Sequence, residues 1–129
     1  EALVAVHDAA RPLLKPELVE KLFELALHRG NAIPVIPVRE SLRRINSTEN
    51  KAVNRAEIFA VQTPQVFKVN LLKEAFAGNS DTTFTDEASL IESVGFTVFS
   101  VQGDRDNIKI TFPEDIHVAS ILLKKQLSI

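Results

Sequence analysis

Apolar residues gather in short blocks between charged turns, and their spacing changes from block to block. Leu3-Val4-Ala5-Val6 is a continuous apolar run of strand length, cut off by His7-Asp8-Ala9-Ala10-Arg11-Pro12. Pro12 forbids a simple continuation, which puts Asp8 and Arg11 just past the carboxyl end of a strand. From Pro16 to Arg29, Leu18, Val19, Leu22, Phe23, Leu25 and Ala26 mark one apolar helical face. Pro16 suits the first turn, Glu17 and Glu20 the positive end, Arg29 the negative end and Gly30 a left-handed cap. Residues 32–38 form a second strand, in which Pro34 and Pro37 each remove a ladder donor. That strand is expected to be irregular or near an edge over part of its length. Strand, helix and strand in this order predict a right-handed crossover into a parallel sheet.

The pattern then turns polar. Residues 41–45 and 52–61 flank the turn Asn46-Ser47-Thr48-Glu49-Asn50-Lys51, which predicts a hairpin with a solvated tip over 39–61. It is either a surface excursion or an arm that pairs with another chain. The second reading is favoured because Leu42, Ile45, Val53, Ile58 and Phe59 need cover. Pro64 ends this excursion. A helix is predicted over 68–77 with Val69, Leu71, Leu72, Ala75 and Phe76 facing inward, closed by Gly78, before a polar loop over 79–84. Another helix starts at Thr85-Asp86-Glu87, with Thr85 able to cap it and the acids favouring its positive end. Residues 96–101 read as a strand, 108–111 as a short alternating strand, and Thr111-Phe112-Pro113-Glu114 as the capping box of the last helix.

The 129 residues suffice for one domain with a core. A formal net charge of −2 gives no general attraction to nucleic acid or membrane, so an anion site has to come from local placement of Arg and Lys. The absence of cysteine excludes disulfides, thiolate nucleophiles and Cys-based metal sites, and fits a reducing compartment. Glu1-Ala2 leads straight into a buried-looking strand, and a parallel sheet needs neighbours for such a strand. The chain is therefore expected to be the later part of a larger α/β domain.

No Gly-rich phosphate loop, Gly-x-Ser-x-Gly elbow or His-Glu-x-x-His site is present, and His7, His28 and His117 lack metal-ligand spacing. What remains is Asp8, Arg11, Arg55, Thr63, Thr85 and Lys109 at strand ends and turns. Asp8 and Arg11 carry two readings: a capped turn closed by an ion pair, or a ligand site at the sheet edge, with Ala9 and Ala10 leaving room for its approach. Arg with Thr suits a phosphorylated ligand, and a nearby carboxylate suits Mg²⁺ or a ligand hydroxyl.

Five segments in this order and spacing carry a family resemblance. They are His7-Asp8-Ala9-Ala10-Arg11-Pro12, Pro37-Val38-Arg39-Glu40-Ser41, Gln62-Thr63-Pro64-Gln65-Val66-Phe67, Thr85-Asp86-Glu87-Ala88-Ser89 and the run from Asp106 through Asn107-Ile108-Lys109-Ile110-Thr111 to Asp115. Together they resemble the later part of the 2-C-methyl-D-erythritol 4-phosphate cytidylyltransferases. The resemblance implies part of a Rossmann-like nucleotidyltransferase α/β sheet, with a protruding β-hairpin at about 39–61 that clasps a homodimer. It implies CMP transfer from CTP to methylerythritol phosphate with Mg²⁺ assisting and pyrophosphate released, in the cytoplasm. Asp8 would hold a substrate hydroxyl, and Arg11, Ser41, Thr63 and Thr85 would complete that pocket. Arg55, reaching across from the partner subunit, and Lys109 would orient the attacking phosphate. The family more often has Thr where Ser41 stands, and the hydroxyl is kept.

The family's Gly-rich loop, with an Arg and a Lys for the triphosphate, has no match in these residues. The resemblance thus implies that they are inactive alone. Two further readings stand beside it: a ribitol- or other polyol-phosphate cytidylyltransferase on the same fold, and a non-catalytic dimerisation or binding module built on the arm.

Overall fold

The computed structural model describes residues 1–78 and 84–128. Strand β1 (Leu3–Val6) is followed by helix α1 (Pro16–Arg29) and strand β2 (Asn31–Pro37). The hairpin β3 (Leu42–Ile45) and β4 (Asn50–Val53) comes next, then a single 3-10 turn at Arg55–Glu57 and strands β5 (Phe59–Val61) and β6 (Gln65–Lys68). Helices α2 (Val69–Ala77) and α3 (Glu87–Ser93), strand β7 (Ser100–Gln102) and helix α4 (Asp115–Leu127) complete the chain.

The sheet is mixed rather than parallel. β6 lies antiparallel between β1 and β2, so the two strands joined by α1 run the same way without touching. β5 is also antiparallel to β2, while β7 pairs with β2 in parallel on the opposite side, since Val35 faces Val61 on one hand and Gln102 on the other. β2 is thus a central strand and not an edge. Its prolines are tolerated because of what lies beside them. Between the pairs Val35–Val61 and Ala32–Val66, β2 advances by three residues and its neighbour by five, so the neighbour bulges at Gln62-Thr63-Pro64. Pro34, whose missing N–H would face that bulge, contributes only its carbonyl, which accepts from Gln62 N at 2.9 Å. Pro37 ends the strand.

Strand alternation builds a layer on each face. Ala32 and Val66 pack with Leu18, Leu22 and Ala26 of α1, while Phe67 packs with Ala75, Leu90 and Ile91 of α2 and α3. α1 has the predicted limits: Pro16 opens it, and Gly30 closes it at φ 96°, its N–H donating to Ala26 O at 2.7 Å. That left-handed angle is one glycine adopts without a steric penalty.

Several expectations are corrected. The second arm strand stops at Val53, and Phe59–Val61 belongs to the main sheet. Residues 96–99 join no ladder, and the strand predicted over 96–101 is shorter and shifted, at Ser100–Gln102. Residues 108–111 form no strand; Ile110 N donates to Ala10 O and no ladder develops. Asp86, not Thr85, caps α3, accepting from Ser89 N at 2.9 Å. The predicted capping box at α4 is replaced by a reversed arrangement, in which the Asp115 carboxylate accepts from the amides of Thr111 and Phe112 at 2.9 Å each. Phe76 does not face inward and is 59% exposed. Of the polar loop expected over 79–84, all but Phe84 lies outside the described residues.

Candidate active site

The carboxyl end of β1, the bulge between β5 and β6, and the start of α3 converge on a polar cleft of about 390 Å³. Asp8, Arg11, Thr63, Thr85 and Lys109 all line it, together with Gln62, Gln65, Asp86 and Glu87. Five of the seven residues singled out from sequence therefore share one site. Ser41 is exposed at the root of the arm, and Arg55 donates to the Arg39 carbonyl from the 3-10 turn; neither lines this cleft.

The turn reading of Asp8 and Arg11 is met, and both side chains also line the cleft. Arg11 N donates to Asp8 O at 3.0 Å, closing the turn, and Arg11 Nε donates to Asp8 Oδ2 at 3.2 Å. Arg11 Nη1 reaches across to the Asn107 carbonyl at 2.7 Å, tying the first loop of the chain to the segment before α4. Lys109 Nζ stands 3.9 Å from the same Asp8 oxygen and is half exposed, so it can swing to a second anion. Two cations thus share one carboxylate, and Lys109 remains able to reorganise around an anionic ligand.

Thr63 is held at both ends. Its hydroxyl accepts from Asp8 N at 3.0 Å and lies 2.9 Å from His7 Nδ1, while its carbonyl accepts from Asn107 Nδ2 at 2.9 Å. Gln62 grips the neighbouring turn, donating to Asp104 O at 2.7 Å and accepting from Asp104 N at 3.1 Å. On the opposite wall, Gln65 donates to Asp86 Oδ2 at 3.0 Å and accepts from Ala88 N at 3.2 Å. Burial pushes the Asp86 carboxyl up, but hydrogen bonds from Gln65 and Ser89 outweigh it and leave Asp86 below the ordinary carboxylate range. With Asp86 occupied as the cap, the Thr85 hydroxyl is not needed for capping.

His7, Gln62, Gln65 and Asn107 had no role assigned from sequence. His7 is exposed, while Gln62, Gln65 and Asn107 are buried polar residues; Gln65 shares the strand face of Phe67 and is fully buried, so it requires a partner. Such a partner cannot be named before the fold brings α3 alongside.

A second charged cluster lies at the outer end of this loop. Lys15 Nζ is 3.2 Å from Asp104 and 3.7 Å from Asp106, and Lys125 Nζ donates to Asp106 at 2.9 Å. It fastens α1 and α4 to the loop that carries Asn107. Among the described residues no three His, Cys, Asp or Glu side chains converge to seat a metal ion, and none of the helices is long and apolar enough to cross a membrane.

Comparison with known proteins places this arrangement. The 2-C-methyl-D-erythritol 4-phosphate cytidylyltransferase family profile matches residues 1–125. A protein of that description from Bacteroides thetaiotaomicron is 44% identical over 121 residues, covering 94% of this chain and 55% of its own length. One from Bacillus licheniformis is 40% identical over 129 residues, covering 98% and 56%. The crystal structure of 2-C-methyl-D-erythritol 4-phosphate cytidylyltransferase from Thermus thermophilus superposes with a TM-score of 0.85 at 37% identity, over 95% of this chain and 62% of that one. The chain spans about half the length of the curated relatives it matches. It belongs to the 2-C-methyl-D-erythritol 4-phosphate cytidylyltransferase family.

Proposed function

We propose that this chain supplies the polyol-phosphate side of a cytoplasmic enzyme that transfers CMP from CTP to 2-C-methyl-D-erythritol 4-phosphate, releasing pyrophosphate. The observation that carries the reading is the single cleft holding Asp8, Arg11, Thr63, Thr85 and Lys109 in a chain of this family. A phosphate oxygen of the polyol phosphate attacks the α-phosphorus of CTP in line as the bond to the pyrophosphate leaving group breaks. Both reactants are polyanions, so the protein's work is charge neutralisation and alignment. Asp8 accepts from a substrate hydroxyl, and Arg11, Ser41, Thr63 and Thr85 complete the pocket. Lys109, with Arg55 of the partner subunit, orients the attacking phosphate.

The arm formed by β3 and β4 is the proposed dimer contact. Support comes from its exposed apolar residues, including Ile45 at 68% exposure, and from Arg55, which lies outside the cleft of its own subunit. Residues 1–129 are read as the C-terminal portion of one nucleotidyltransferase domain. They contain no counterpart of the Gly-rich CTP loop, so on this reading they do not turn over CTP by themselves. The cleft's carboxylates do not make a seat for Mg²⁺: Asp8 is engaged by Arg11 and Lys109, Asp86 by Gln65 and Ser89, and among the described residues Glu87 joins no cluster of three metal-ligating side chains. No step is therefore assigned to a metal bound by this chain.

The deciding assay offers the full-length protein CTP with 2-C-methyl-D-erythritol 4-phosphate or with ribitol 5-phosphate, and follows pyrophosphate release. Turnover of the first and little of the second is expected. Preference for ribitol 5-phosphate would replace the substrate, and no turnover of either would refute the enzymatic reading.

A further inference from the structure

We propose that His7 is a positioning residue that fixes the hydrogen-bond polarity of Thr63 and thereby the orientation of the bound polyol phosphate. The inference rests on the substrate class proposed above; its geometric part does not. His7 Nε2 lies 2.9 Å from the Arg11 carbonyl oxygen, which can only accept, so the ring carries a proton on Nε2. In the neutral imidazole Nδ1 is then an acceptor, and it faces Thr63 Oγ1 at 2.9 Å. The Thr63 hydroxyl has one proton, and this contact uses it. One of its two lone pairs is already taken by Asp8 N at 3.0 Å.

What Thr63 can still offer the cleft is a single lone pair. It accepts from a ligand hydroxyl and has no proton left for a phosphate oxygen. Asp8, beside it, is likewise acceptor-only when ionised. The Asp8–Thr63 wall is therefore selective for hydroxyl donors, and the phosphate is left to Lys109 and to Arg55 of the partner subunit. The same ring also closes the 7–11 loop on itself through the Arg11 carbonyl, holding the guanidinium's own backbone in place.

Two measurements on the full-length protein test this. The first is the ¹⁵N spectrum of the His7 ring at neutral pH without substrate, which separates the tautomers. An Nε2-protonated ring with a bare Nδ1 is expected; an Nδ1-protonated neutral ring, or a ring protonated at both nitrogens, would overturn the assignment whatever the substrate proves to be. The second compares His7→Phe with the wild type. KM for 2-C-methyl-D-erythritol 4-phosphate should rise about 10-fold, the scale of one lost neutral hydrogen bond, with KM for CTP unchanged.

Competitive inhibition by inorganic phosphate should hold or strengthen in the same variant, because the freed Thr63 proton can now be donated to it. Parallel weakening of polyol phosphate and inorganic phosphate would reduce His7 to a packing role and refute the proposal. In a Thr63→Val background, His7→Phe should add little further loss of polyol-phosphate affinity; full additivity would also count against it. Should the wild type turn over no polyol phosphate, the substrate reading fails, while the tautomer spectrum still decides the geometry.

Discussion

Gln65 and Asp86 are joined by a 3.0 Å hydrogen bond that spans 21 residues of sequence and locks the wall of the cleft to the start of α3. Gln65 is fully buried, and both ends of its amide are used, one by Asp86 and the other by the Ala88 N–H. Asp86→Ala removes the helix cap and leaves the Gln65 amide short of an acceptor. The expected loss is about 2 kcal/mol of unfolding free energy, read from urea denaturation. Gln65→Leu in the Asp86→Ala background should cost less than it does alone, since the two changes remove one shared contact. Equal costs in both backgrounds would separate the two residues energetically.

Acid and alkali should unfasten the outer ion-pair cluster in opposite ways. The hydrogen bond from Lys125, aided by Lys15, holds the Asp106 carboxyl below its ordinary value of 3.8. A lowered folded value stabilises above the unfolded one, so this contribution is present at neutral pH and disappears as pH falls below about 3.8. Lys15 is raised above 10.5, chiefly by its hydrogen bond to Asp104, so its contribution is complete below 10.5 and is lost as pH climbs through the folded value. Asp106→Asn should flatten the acid side of a plot of urea midpoint against pH. Its cost at pH 7 should be only about 0.5 kcal/mol, because the pair is partly solvated. An unchanged acid slope would show that Asp106 is not one of the groups responsible.

Gly103 is a tight point behind the cleft. A Cβ there would stand 2.5 Å from Gln62 Oε1, and Gln62 is buried with its amide committed to Asp104 on both sides. Gly103→Ala is expected to cost about 2 kcal/mol and to displace the loop that presents the Asn107 carbonyl to Arg11. On the proposed function, KM for the polyol phosphate should rise with that displacement. Retained stability together with unchanged KM would mean that Gln62 yields without moving the loop.

Arg11→Lys tests the fork. The guanidinium holds Asp8 and the Asn107 carbonyl at the same time, and a single ammonium on a flexible stem cannot reproduce that geometry. Catalytic efficiency toward polyol phosphate should fall about 10- to 100-fold while the fold survives, as judged by circular dichroism and kcat/KM. Near wild-type efficiency would leave Arg11 with charge alone as its role.

The proposed reach of Arg55 into the partner's site has a direct assay. Arg55→Ala and Lys109→Ala, each inactive alone, should recover about a quarter of wild-type activity after subunit exchange. Half of the dimers are then mixed, and each mixed dimer rebuilds one of its two sites. No recovery on mixing, with dimers still formed, would place Arg55 in its own subunit's chemistry or outside the chemistry altogether.

Periodicity gave away what depends on neighbouring residues and concealed what depends on pairing across the sheet. α1 was readable to its ends because Pro16, the apolar stripe and Gly30 are local signals. β6 was not, since Gln65-Val66-Phe67 follows a proline and contains a polar residue, yet it occupies the middle of the sheet. Its insertion between β1 and β2 turns an expected parallel sheet into a mixed one. Asp8, Arg11, Thr63, Thr85 and Lys109 could be picked out by residue type and position, and the fold gathers them. The residues that brace them were silent in the sequence, because the Gln62, Gln65 and Asn107 side chains find partners at least 21 positions away, and His7 joins its own loop to Thr63, 56 positions away.

Pro37 and Phe59 face one another in register, so the chain enters and leaves the arm across one rung of the sheet. That rung fixes the distance between the arm's two ends, and the cost of closing a loop over it grows only slowly with length. Residues can be inserted, removed or recharged beyond it while the strands below keep their alignment. Over evolutionary time, the tip of the hairpin can therefore change in length and charge without disturbing the alignment of the strands that shape the cleft.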